Sequence, residues 1–142
     1  MSHHASQEDV IFTNRVESCQ FPVADFDHRA HLRLAYVYLS EDDVDTAVEK
    51  MRDALVRLLT ANKIEPAAKY HETLTKAWIL AVHHFMSLTN GSASADEFID
   101  KNPEMLDASI MLTHYSAEAL FSDEARKSFV QPDLDPIPRP GG

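Results

Sequence analysis

Cysteine, glycine and long apolar runs are what this chain has least of. One cysteine, Cys19, in 142 residues has no partner for an internal disulfide, so the sequence points to a reducing cytoplasm. It stands among apolar positions and reads as a small buried packing residue rather than a nucleophile. Three glycines are too few for a turn-rich all-β fold. No apolar run approaches the roughly 20 residues that cross a bilayer. Residues 1–9 lack a basic segment followed by an apolar one, so no signal peptide is expected. Bases are scarce as well: 13 Lys and Arg face 23 Asp and Glu, a net charge of −10 with no basic cluster. Nucleic acid and anionic membrane surfaces are therefore not expected partners. No Gly-x-Ser-x-Gly elbow and no phosphate-cradling glycine loop is present, so neither hydrolase-elbow chemistry nor a nucleotide or flavin cofactor is expected.

What the chain does have is apolar residues, 44% of the total, at helical spacing. Its length suits one domain with one core. Residues 1–9 read as a flexible terminus, 10–130 as a helical domain and 131–142 as a Pro-rich tail, with four of the seven prolines. The expected fold is a single all-α domain, an irregular bundle of about five or six helices. Helices are expected over 10–20, 28–40, 44–61, 70–89, 95–101, 104–115 and 123–130. Asp25 or Asp27 can cap the second, and Ser116 and Ser122 are further N-cap candidates. The 44–61 segment has a clean apolar stripe (Val44, Ala47, Val48, Met51, Leu55, Leu58, Leu59) and reads as scaffold without direct chemistry. In the tail, Leu134 and Ile137 are placed to bury across the bundle.

Chemistry concentrates at two helix starts. In the 28–40 helix the buried stripe is Leu32, Ala35, Tyr36 and Leu39, and one turn back along it stand His28 and His31. The 70–89 helix opens with Tyr70, His71 and Glu72, then Thr75 and Trp78. These residues predict one polar pocket lined by His28, His31, Tyr70, His71, Glu72 and Thr75, with Trp78 as its apolar wall. His28 and His31 at i, i+3 could hold a divalent metal with His71 as third ligand, and Glu72 and His114 as weaker candidates. Asp25 or Asp27 could orient a ligating imidazole. The metal-free alternative is a small polar ligand, with His71 and Glu72 doing acid–base work, Thr75 or Tyr36 offering a hydroxyl, and Arg33 or Arg29 clamping an anion. The competing class is a non-catalytic interaction module whose buried histidines only hold the core together. A full His-Glu-x-x-His motif is absent.

Three segments carry a resemblance: Phe26-Asp27-His28-Arg29-Ala30-His31-Leu32, then Tyr70-His71-Glu72-Thr73-Leu74-Thr75-Lys76-Ala77-Trp78, and Tyr115-Ser116 with Ser122, Ala125-Arg126 and Pro132-Asp133-Leu134. Together they resemble a family of small all-helical bacterial proteins that is itself uncharacterised. The match runs over most of the chain from Phe21 to Pro138. It departs at His114-Tyr115, where relatives carry two aromatics, and at Phe129, where they carry Trp. The resemblance implies that the two histidine motifs belong together. It implies no substrate and no reaction.

Overall fold

The structure is a computed structural model that describes residues 2–138. It is an all-α bundle. Three long helices form its centre: α2 (His28–Glu41), α3 (Val44–Ala61) and α5 (Glu72–Leu88), packed on one another, with α1 (Gln7–Glu17) laid across α2 and α3. A four-residue helix α4 (Pro66–Lys69) bridges α3 to α5. Helix α6 (Ala95–Lys101) packs on α2, and the short α7 (Ala117–Leu120) and α8 (Asp123–Lys127) close the far side, α8 against α5.

Local chemistry sets the helix starts. Ser6 and Asp9 make a reciprocal capping box that starts α1 three residues earlier than the sequence suggests. Asp27 accepts from the Ala30 N–H at 2.9 Å and starts α2 at His28. Asp43 caps α3, Ser94 caps α6, and Ser116 and Ser122 cap α7 and α8. The apolar stripes then meet. Leu32, Leu34, Ala35, Tyr36, Val37 and Tyr38 on α2 are all essentially buried, so α2 is enclosed on nearly every side.

Several expectations need correction. The first helix ends at Glu17 instead of reaching 20, and Val10 on it is 44% exposed. The loop before Tyr70 contains α4, with Pro66 at its first turn, where a missing N–H costs nothing. Residues 104–115 form two 3-10 turns, Pro103–Leu106 and Ala108–Thr113, because Asp107 between them is extended and its carboxylate binds the Ser109 N–H, restarting the chain. Residues 1–9, expected to be loose, are held from Ser2 onward. His4 N–H donates to the Ser92 carbonyl at 2.8 Å, and Ser92 N–H donates to Ser2. The tail does cross the bundle, but only Ile137 is buried; Leu134 is 51% exposed while its N–H donates to the His114 carbonyl. The final four residues of the Pro-rich tail lie outside the described residues.

Candidate functional site

A cavity of about 450 Å³ opens between the first turn of α2, the second half of α3 and the start of α5. Such a volume lies in the range of small-molecule sites. Its wall is mainly apolar: Val23, Phe26, Leu55, Leu58, Leu59 and Ile64, with Leu74 from α5. The polar side chains in it are His31, Lys69, Tyr70, His71 and Thr75. The two histidine motifs therefore do meet, through His31 and His71.

His31 is the unusual member. Its Nε2 is buried and has no hydrogen-bond partner, and the ring makes no hydrogen bond among the described residues. Burial, with a smaller push from His28, lowers its pKa to about 4. At neutral pH the ring is therefore uncharged and offers one donor and one acceptor. The Phe26 ring lies beside it, centroids 6.4 Å apart. Four other histidines are hydrogen-bonded, although His3 also keeps a buried Nδ1 without a partner. The ring nitrogens of His3, His28, His71 and His114 donate to the carbonyls of Met86, Met105, Leu120 and Asp135, at 2.7–2.8 Å.

His71 is spent on structure. Its Nε2 donates to the Leu120 carbonyl, which leaves Nδ1 as an acceptor for the Leu74 N–H at 3.0 Å. The imidazole is thus the N-cap of α5, in a position that Ser, Thr, Asp or Asn usually fills. Burial lowers its pKa, the Leu120 bond opposes that, and the Arg126 charge adds to the lowering. Thr75 donates to the His71 carbonyl at 2.8 Å, so its oxygen faces any ligand as an acceptor only.

Glu72 is turned away from the cavity. Arg52 grips both its oxygens, and Tyr70 donates to Oε1 at 2.6 Å. The Arg52 guanidinium holds the Glu72 carboxyl below the usual carboxylate range, with Tyr70 helping and burial opposing. Burial, and the hydrogen bond to Glu72, push the Tyr70 hydroxyl well above its ordinary value. The expected His71–Glu72 acid–base pair is not assembled: each side chain is already fully bonded elsewhere.

His28 does not reach the cavity. It binds the Met105 carbonyl and packs edge-on against Trp78, ring centroids 4.6 Å apart. Trp78 accordingly walls His28 and not the cavity. Tyr36 donates to the His4 and Ser92 carbonyls, and its burial pushes the hydroxyl up to about 12. Arg33 pairs with Asp9 at 2.8 Å. The three-histidine metal centre is likewise not assembled. Among the described residues no three His, Cys, Asp or Glu side chains are grouped to hold a metal ion.

Sequence reasoning missed the α3 side of the cavity and Lys69. A signal was present: the α3 stripe is wider than its partners cover, and Leu55 and Leu59 remain only partly buried. Lys69 carried none, since nothing local distinguishes it from a solvated surface charge. The fold and cavity define the class: an all-α bundle with a semi-enclosed pocket between three of its described helices. No protein-family model matches the chain, and no curated protein or solved structure does either. None of the described helices is long and apolar enough to cross a membrane.

Proposed function

We propose that this chain binds a small organic molecule in the cavity between α2, α3 and α5, with His31 as its polar anchor. The observation that carries this reading is the partnerless imidazole in the cavity wall. A buried polar atom without a partner costs about 1–3 kcal/mol, and binding and catalytic sites are where proteins retain such costs. A ligand that covers the leucines removes apolar surface from water, and a turn of the His31 ring that brings the enclosed Nε2 to it recovers that cost. The metal reading is weaker, because His71 would have to release both the α5 cap and Leu120 to become a ligand. The catalytic reading is weaker as well, because His71 is bonded through both ring nitrogens and Glu72 lies outside the cavity lining, so binding is the function put forward.

The test is a screen of small aromatic and branched aliphatic compounds against the full chain, read by amide NMR, beside the His31→Leu variant. Leucine fills similar space without a polar atom. The expected result is shifts at Phe26, Leu59, Tyr70 and Leu74 on ligand addition, at least tenfold weaker binding by the variant, and a variant that melts about 3 °C higher. If no compound moves those resonances while a divalent metal does, the cavity is a metal site and the reading is wrong. If neither does and the variant melts lower, the histidine serves the core and the chain is better sought as an interaction module.

A further inference from the structure

The charges around the cavity narrow its ligand, granted the binding role proposed above. Acids exceed bases by ten across the chain. None of the residues that line the cavity is an Asp or Glu, and its one permanent charge is Lys69. Lys69 ends α4 and is exposed, so it stands at the cavity rim. Among the described residues it has no carboxylate within ion-pair distance. Lys50, Lys101, Arg29, Arg33 and Arg52 have one, while six other described bases, like Lys69, do not. The nearby Glu72 is not free to serve it, because Arg52 and Tyr70 hold both its oxygens. The lining of this cavity therefore carries one positive charge and no negative one on a protein that is otherwise strongly negative, and such a lining favours an anion over a cation.

The walls set the rest of the ligand. Leu55, Leu58, Leu59, Ile64, Phe26 and Val23 ask for an apolar body. Inside, the Thr75 and Tyr70 hydroxyls already donate to protein acceptors, and His31 lacks any partner. A hydroxyl on the ligand can donate to or accept from such a wall. We infer that the cavity takes a hydrophobic hydroxy-monocarboxylate, its carboxylate at Lys69 on the rim and its hydroxyl at His31 within. A phosphate ester fits less well: no arginine lines the cavity, and two-pronged phosphate recognition relies on that side chain.

Four probes of one shape test this on the full chain: para-hydroxyphenylacetate, its primary amide, tyramine and para-cresol. Affinities come from titration calorimetry, and the site from the amide resonances of Phe26, Leu59, Tyr70 and Leu74. The acid is expected to bind about fivefold more tightly than the amide, because only the acid forms an ion pair with Lys69. Tyramine should bind most weakly, since its ammonium meets a like charge there. Added salt should shrink the preference for the acid, because Lys69 is solvent-facing. Lys69→Gln, a surface change that leaves the core untouched, should weaken the acid more than the amide and so remove most of the preference between them. His31→Leu should weaken acid and amide alike. If para-cresol or tyramine binds in the cavity as well as the acid, or Lys69→Gln leaves the preference intact, the ligand class is wrong and the binding role stands. If no probe, neutral ones included, moves the cavity resonances, the binding role falls with it.

Discussion

At the scale of single residues, the histidines divide by whether the backbone already uses them. His28 and His71 are bonded to carbonyls of distant segments, so each ties two parts of the chain together. His31 ties nothing. Its pKa of about 4, against an ordinary value of 6.5, has a consequence for stability. Between those values the unfolded chain binds a proton that the folded chain refuses. Stability from this residue is therefore complete above about pH 7 and declines as pH falls through 6.5 towards 4, by up to roughly 3 kcal/mol. His71 and His83, also lowered by burial, add to the same slope. Urea midpoints at several pH values should fall across this window in the native chain and fall less in His31→Leu. Equal slopes would mean that His31 titrates normally in the fold.

A second residue of this kind is Asp9. Its side chain is 2% exposed, and it accepts from the Ser6 and Ala95 N–H groups and from Arg33. Burial pushes its carboxyl up, but those three donors outweigh burial and leave it below the usual range. Asp9→Ala strands Arg33 and uncaps both α1 and the approach to α6, at an expected cost of about 3 kcal/mol in chemical denaturation. A loss under 1 kcal/mol would show that the pair is solvated. Asp9 also shows what sequence reading cannot supply. Its partners lie 24 and 86 positions away, and only the fold brings them together.

At the scale of elements, the periodic segments were legible and the cap-driven ones were less so. Helices α3 and α6 occupy 44–61 and 95–101, as their stripes and capping residues indicate. The 104–115 segment misled because its apolar spacing suits a helix, while Asp107 diverts the backbone through a local bond that competes with it. His71 misled for a related reason. Placed next to Glu72 at a helix start it resembles a catalytic pair, yet its ring completes α5. Replacing it sorts the roles. His71→Asn keeps a capping side chain and loses only the bond to Leu120, so it should lose less stability than His71→Ala. His71→Ala loses the cap and the bond to Leu120, about 1–2 kcal/mol, visible as a lower melting temperature. Equal losses in both variants would remove the capping assignment.

At the scale of the whole molecule, the first and last described segments, residues 2–5 and 133–137, are built into the bundle. The N-terminal residues lie against the turn at Gly91, whose φ of +82° belongs to the left-handed region. A Cβ there would stand 2.6 Å from the Ser2 carbonyl oxygen. Gly91→Ala should therefore release residues 2–5, with a cost of about 1 kcal/mol or more and faster amide exchange at His4. Unchanged exchange would mean that the segment is held from elsewhere. On the other side Asp133 binds both the N–H and the hydroxyl of Ser116, and His114 binds Asp135. The described part of the tail, so pinned, does not line the cavity between α2, α3 and α5. Its three-helix wall was only half legible, because a stripe reveals which face is buried and not whether the partners fill the space.

The binding role turns on one imidazole, and its own nitrogen resonances test it most directly. The ring nitrogens of His31 should be followed by NMR from pH 7 to pH 4, with and without para-hydroxyphenylacetate. The expected result is a neutral ring down to about pH 5, and a shift of at least one ring nitrogen when the acid is added at pH 7. A ring that titrates near 6.5 and ignores the acid would contradict the binding role, because His31 would then be solvated and the cavity would have no anchor.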